Sequence, residues 1–456
     1  MPLDFGQALQ SPVARVVVGT IAAALLFVLA QELRKIPPRL FALMATAFID
    51  MVGVLMIIPI IPFYAKELAA GGVTIGPVHL GIGMIQAIMV SSFTVAQLLS
   101  APTWGRFSDR HGRRPALLIA LGASAVAYLV FGFATSLVLL FLSRILQGAG
   151  GGTVGVIQAY VADSVAPEDR ARSLGWLSAA TNLGVALGPV LGSAAVSLGR
   201  VDLLPGSGHF AVGRAAPGIV AALLCLVNIW FVQRYLKESR TAPEHVAHAA
   251  APRRGAREAI VRVLTHSAEP ASRLILIYAI AMGAFQGVTA MLPLFLSARF
   301  NVDAGSIGYF FMYVGAISVF TRVLVLGRAV DRFGEARLSR VGVLLLALGI
   351  AGMPLSTNLP TLALAVAMVP LGTAFTFPCV TALLSRVINP AERGLYMGMQ
   401  QTFGGVARIL VPLWAGFSFD HLGVGIPFYT SAIAVLATVV LGLGLDQYVK
   451  PRAAAA

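Results

Sequence analysis

The chain has 456 residues, of which 58% are apolar, 11% are charged and 47 are glycine. Soluble domains carry charge at about a quarter of their positions, so this composition excludes an ordinary soluble protein. The net charge of +14 would suit a nucleic-acid partner in a soluble chain, but its placement along this one speaks for a membrane instead.

A helix crossing about 30 Å of hydrocarbon needs roughly 20 apolar residues. The first apolar run, residues 12 to 31, is either a cleaved signal or an additional helix. Asp4 precedes its core and Arg34, Lys35 and Arg39 follow it, whereas a signal peptide carries its positive charge in front. We therefore read a retained extra helix with its N-terminus outside. Further spans are expected near residues 40 to 63, 80 to 104, 115 to 133, 137 to 162, 173 to 198 and 215 to 235. A second set follows near 273 to 297, 304 to 326, 338 to 356, 359 to 384, 395 to 419 and 424 to 446. Residues 237 to 272, polar and carrying Pro243, Pro252 and Pro270, read as a partly helical cytoplasmic linker between two sets of six. The domain division is then 1–39, 40–236, 237–272 and 273–456.

Of the 33 lysines and arginines, 25 fall in the loops and ends on one side of this topology. The positive-inside rule makes that side cytoplasmic and places the C-terminus there. The basic excess is thereby explained without nucleic acid. Three arginines remain inside spans: Arg144, Arg322 and Arg408. Arg322 is expected about one turn from the cytoplasmic end of its helix, from where it can snorkel. Cys225 and Cys379 lie in apolar helices, one in each half, with no disulfide or metal spacing. No nucleophile triad, metal cluster or phosphate loop is present, which makes an enzyme the least supported class.

Asp50 is the one carboxylate expected in the membrane interior. Burial disfavours a charged carboxylate and a nearby arginine favours it, so a site where both act can exchange a proton as its access changes. Arg144, near the middle of span four in Arg144-Ile145-Leu146-Gln147-Gly148, is costly there without an acid or a watery cavity. Asp50 is the acid expected to serve it. Arg408, near the middle of span eleven, has no membrane acid in its own half. It is expected to face a cavity, to bind an anionic group or to approach Asp50, and Gln147 and Gln286 join it as candidate cavity residues.

Between spans two and three lies Gly105-Arg106-Phe107-Ser108-Asp109-Arg110-His111-Gly112-Arg113-Arg114, half of it charged. A degenerate copy, Gly327-Arg328-Ala329-Val330-Asp331-Arg332-Phe333-Gly334, begins 222 residues later. A repeated charged loop between repeated apolar runs is the mark of a tandem membrane bundle. Span five adds Gly175, Gly184, Gly188-Pro189 and Gly192. The last three glycines, spaced by four, give a flat face for close helix packing, and Pro189 favours a bend.

These motifs resemble those of the major facilitator superfamily, and the spacing in span five resembles the antiporter motif of its drug:proton antiporter families, nearest the tetracycline-efflux branch. The resemblance covers residues 40 to about 446. It implies an all-α polytopic fold of two six-helix bundles related by a pseudo-two-fold axis, with the extra N-terminal helix as a departure. It also implies alternating access, driven by a proton gradient with no other cofactor, with Asp50 and Arg144 coupling protons to the export of a small, amphipathic molecule such as a drug. Gly105, Asp109, Arg110, Gly112, Arg113, Asp163, Asp331 and Arg332 would form conformational latches. In these, Asp109 would cap a helix of the opposite bundle, and Arg113 would pair with Asp109 or Asp163. Glu335 and Ala336 replace the expected basic pair, which weakens the second latch. The expected setting is a monomer in a bacterial inner membrane. A nutrient or metabolite transporter is the nearest alternative, and a receptor or scaffold without transport the more distant one.

Overall fold

In the computed structural model, residues 38–445 are described apart from 70–71, 76, 166–169, 200–211, 239–260, 262, 267–268 and 390–391. The expected extra helix at 12–31 and most of the linker lie outside the described residues.

The first half contains α1 (Pro38–Ile57), α2 (Ile61–Ala69), a small two-stranded sheet of β1 (Val73–Ile75) and β2 (Val78–Leu80), α3 (Ile82–His111), α4 (Arg113–Gly132), α5 (Leu137–Gly150), α6 (Thr153–Ser164), α7 (Arg170–Leu198) and α8 (Val212–Tyr235). The second contains α9 (Pro270–Phe300), α10 (Ile307–Phe320), a π-helical turn at Thr321–Val325, α11 (Leu326–Phe333), α12 (Glu335–Leu355), α13 (Leu359–Val387), α14 (Arg393–His421) and α15 (Ile426–Gly442). Among the described residues, 11 helical stretches are long and apolar enough to cross a membrane, and α15, at 17 residues, is a shorter apolar helix. Spans one, four and eight are each built from two helical pieces, α1–α2, α5–α6 and α10–α11. The fold is all-α and polytopic.

Spans four and eight depart from the expected continuous helices, and the break in span four has a visible cause. Span four, expected to be continuous, is interrupted at Gly151-Gly152, where Trp104 packs within 2.4 Å of where a Gly152 Cβ would stand. Its indole N–H donates to the Ala149 carbonyl at 2.6 Å, satisfying an acceptor that the end of α5 leaves open. Span eight runs on through the π turn to Phe333 instead of ending near 326. Arg322 therefore lies 11 residues, about 16 Å, from the helix end, and not one turn from it.

The residues divide into two compact units, Met1–Pro77 with Ser92–His245 and Pro293–Gly315, and Val78–Ser91 with Val246–Leu292 and Ala316–Ala456. The units thus cut across the sequence halves at spans two, seven and eight. In the first unit the Ser193 hydroxyl donates to the Ala304 carbonyl at 2.9 Å and accepts from the Gly308 N–H at 2.8 Å, which ties the Pro293–Gly315 segment to α7. In the second, the Asp420 carboxylate accepts from the N–H groups of Gly83 and Met84 at 2.9 and 2.8 Å. It caps the first turn of α3, where unpaired donors and the helix dipole favour an anion. The core of the first unit gathers Leu43, Ala47, Leu117, Leu121, Ile157 and Leu177 from spans one, three, four and five.

Candidate functional site

Asp50 lies on α1, 3% exposed, and its carboxylate accepts a hydrogen bond from the Thr153 hydroxyl at 2.6 Å. Thr153 opens α6, so the break in span four delivers both a hydroxyl and the first turn of a half-helix to the carboxylate. Discontinuous helices present polar groups at membrane depth in this way. The run Gly148-Ala149-Gly150-Gly151-Gly152-Thr153 was the available signal: several glycines in an apolar span, followed by a hydroxyl.

Arg144 is 1% exposed. Its guanidinium lies over the Phe131 ring, 5.2 Å from the centroid, with Nε 3.4 Å from the Ser143 hydroxyl, and one terminal nitrogen has no partner. The expected pair with Asp50 is not formed: among the described residues neither side chain makes an ion pair within 4.0 Å. Arg144 lies on α5 and Thr153 on α6, on opposite sides of the break in span four. Tyr128 lies near both Asp50 and Arg144. Its hydroxyl accepts from Gln147 Nε2 at 2.9 Å and would be 3.2 Å from a Cβ on Gly53, one turn from Asp50. Tyr128 and Thr153 are the polar members of this cluster that the sequence did not single out. A separate cleft of about 320 Å³ is lined by Ala47, Val154, Gln158, Ser178 and Thr181 among others, and neither Asp50 nor Thr153 is part of its lining.

The glycines of span five hold the Asp50 helix in place. A Cβ on Gly184, Gly188 or Gly192 would come within 2.7, 2.9 and 2.1 Å of the carbonyl oxygens of Phe48, Val52 and Met56. Both rows step by four residues, so α7 and α1 touch backbone to backbone along one stripe. Gly175 is different: nothing stands within 4 Å of its Cβ position, and it takes no part in that contact.

At the charged loop, Arg113 is 5% exposed and pairs with Asp109 at 2.8 Å and with Asp163 at 2.9 Å simultaneously, while also donating to Ser108 at 2.6 Å. The two partners were expected as alternatives. Gly112 is required twice over. Its φ of 101° disfavours any side chain, and a Cβ would sit 2.5 Å from the Glu238 carboxylate. Glu238 itself accepts from the N–H groups of Arg113 and Arg114 at 2.9 and 3.1 Å, capping α4 from the start of the linker. Gly105 has open space where a Cβ would stand, and Arg110 is exposed.

In the second copy, Arg332 lies over the Phe333 ring at 5.7 Å, Asp331 sits on α11, and Glu335 forms an ion pair with Arg386. Glu335 follows Gly334 as Arg113 follows Gly112. Arg386 ends α13, span ten, much as Asp163 stands at the end of span four. The departure from the basic pair therefore keeps a bridge between equivalent helix ends with its charges exchanged. Arg408 is part-buried on α14, its Nε 3.4 Å from the Gly404 carbonyl, and Gln286 is part-buried on α9. Among the described residues no group of three or more His, Cys, Asp or Glu is placed to hold a metal ion.

Comparison with known proteins follows the same lines. The chain is 24% identical over 415 residues to multidrug resistance protein 2 of Bacillus subtilis, covering 90% of this chain and 94% of that one. It is 27% identical over 379 residues to the class C tetracycline resistance protein of Escherichia coli, covering 82% and 88%. Among solved structures, the human organic anion transporter MFSD10 (TETRAN) aligns with a TM-score of 0.63 and 23% identity over 89% of this chain and all of that one, a likeness of fold. The Major Facilitator Superfamily profile matches residues 43–326 and 274–455. Since those matches run through nearly every described span and take in both copies of the charged loop, the chain belongs to the Major Facilitator Superfamily and is a multi-pass membrane transporter of small molecules.

Proposed function

We propose that this transporter exports a small amphipathic molecule in exchange for protons, from the cytoplasmic side of a bacterial inner membrane, with its C-terminus cytoplasmic and a monomer as the working unit. The observation that carries the coupling is Asp50: a buried carboxylate held by one neutral hydroxyl and no cation, beside a break in a membrane helix. A carboxylic acid in that setting can accept a proton from one side and release it to the other when access changes. The drug and tetracycline resistance relatives support the substrate class and the direction.

One proton per cycle suffices energetically. At a driving force of about 150 mV one charge supplies about 3.5 kcal/mol, enough for roughly 300-fold accumulation. The test is transport in proteoliposomes under an imposed pH gradient, with fluorescent amphipathic drugs as probes. Substrate should move against the proton flow and reverse direction when the gradient is reversed. Co-directional movement would instead identify a symporter of nutrient type.

A further inference from the structure

Two of the three arginines at membrane depth, Arg322 and Arg408, lie in the second unit, and among its described residues no Asp or Glu shares that depth. On α14 the next acid is Asp420, 12 residues or about 18 Å along the helix, and it is engaged with Gly83 and Met84. On span eight it is Asp331, nine residues or about 14 Å past Arg322. Arg322 has the Ser318 hydroxyl at 3.3 Å, and Arg408 has only a carbonyl of its own helix. Charged side chains inside spans pair or face water. Among the described residues of this unit no counter-charge lies within ion-pair distance of either arginine.

The two faces of α14 show where Arg408 points. With 3.6 residues per turn, Val406, Leu410, Trp414 and Phe417, all 40% exposed or more, fall within about 80° of one another and form an apolar stripe suited to lipid. Gly394, Gly398, Gln401 and Arg408 fall within a second sector of about 80°, centred roughly 160° away. This second face is open at its inner end, where a Cβ on Gly394 or Gly398 would meet nothing within 4 Å and Gln401 is exposed. Farther out it closes. The Ser91 hydroxyl donates to the Ile409 carbonyl at 2.9 Å, and a Cβ on Gly416 would come within 2.5 Å of the Gly83 carbonyl. Arg408 thus stands where the open polar face ends against its seal. Gln401 Nε2 lies 3.5 Å from the Tyr278 hydroxyl, a neutral polar pair on the same approach.

We infer that Arg408 receives an anionic group of the transported molecule, so that the preferred substrates are organic anions, carboxylates or sulfonates, with an apolar body. The guanidinium fork matches a carboxylate through two parallel hydrogen bonds, and the substrate supplies the charge the spans lack. Gln401 and Tyr278 add hydrogen bonds without adding charge. The inference rests on the transport reading but on neither its direction nor its proton coupling.

The test uses three probes that share one fluorophore: dansylglycine, an anion; dansylamide, neutral; and dansylcadaverine, a cation. Counterflow exchange and direct binding are measured with the full chain in liposomes. Dansylglycine should be favoured at least tenfold over the other two. Arg408→Gln should remove that preference, and Arg408→Lys, which keeps the charge without the fork, should retain part of it. Elution as a monodisperse species and an unchanged melting temperature establish that each variant is folded. If Arg408→Gln is not, the preference of Arg408→Lys and Gln401→Ala relative to wild type decides. Equal handling of all three probes, handling of none, or a preference unchanged in Arg408→Gln overturns the inference. Dansylcadaverine driven by a pH gradient regardless of Arg408 would leave proton-coupled export standing and sink the anion assignment. Arg408-dependent exchange of dansylglycine that ignores the gradient would do the reverse.

Discussion

Asp50 and Thr153 stand more than a hundred residues apart in the chain, yet among the described residues the 2.6 Å hydrogen bond between them is the one direct link between the buried carboxylate and the broken span. Asp50→Asn keeps the shape and removes the titratable group. It is expected to abolish transport driven by a pH gradient while exchange of substrate for substrate continues within a few-fold of wild type. Thr153→Val should slow gradient-driven transport about tenfold and Thr153→Ser should restore most of it, because the donor rather than the methyl group matters. Equal rates for the Val and Ser variants, measured side by side in vesicles, would remove Thr153 from the coupling site. The sequence pointed to Asp50 because it stood alone in an apolar run. It could not place Thr153, since which way a hydroxyl faces after Gly151-Gly152 depends on how far the helix is turned there, and Trp104, some fifty residues upstream, helps set that turn.

At the scale of whole helices, the stripe shared by α7 and α1 was legible, because glycines four apart in an apolar helix have little use except close approach. The partner was not, since any of several neighbouring helices could accept a flat face. With Val52 and Leu55 now against Gly188, Gly188→Leu places a branched side chain where backbone already touches. Overpacking of this kind costs about 1 to 3 kcal/mol. A lowered melting temperature with slower transport is expected, and wild-type values of both would show that the helices can separate freely at this point.

The exchanged bridge at the second loop gives a sharper case. Glu335→Arg and Arg386→Glu should each slow turnover several-fold through repulsion between like charges. The double variant Glu335→Arg/Arg386→Glu should recover most of the rate, with substrate affinity little changed throughout. Additive losses in the double variant would mean that the two side chains do not act together. From sequence, Glu335 read as damage to the motif, because the repeat was compared residue by residue. The bridge became visible only once α12 and α13 were placed side by side.

Across the molecule, the all-α polytopic fold followed from composition: apolar runs of membrane length and one charged motif used twice. What composition could not supply was which ends of the helices meet. The cap of Asp420 on α3 is such a contact, at the end away from the arginine-rich loops. A carboxylate at a helix N-terminus contributes about 0.3 to 2 kcal/mol, small enough to be broken in each cycle. Asp420→Asn should therefore increase the labelling of a cysteine at Ser91 by an impermeant thiol reagent added from outside, in a background lacking Cys225 and Cys379. Unchanged labelling would make the cap a fixed element of the fold. The central claim is that one buried carboxylate exchanges protons for substrate, and the most direct measurement of it is proton movement triggered by substrate in sealed vesicles without an imposed gradient. Adding substrate on one side should acidify or alkalinise the lumen in wild type, with about one proton moved per substrate molecule and in the opposite direction, and should do nothing in Asp50→Asn. Substrate movement without proton movement in wild type, or an equal proton signal in Asp50→Asn, would contradict the account.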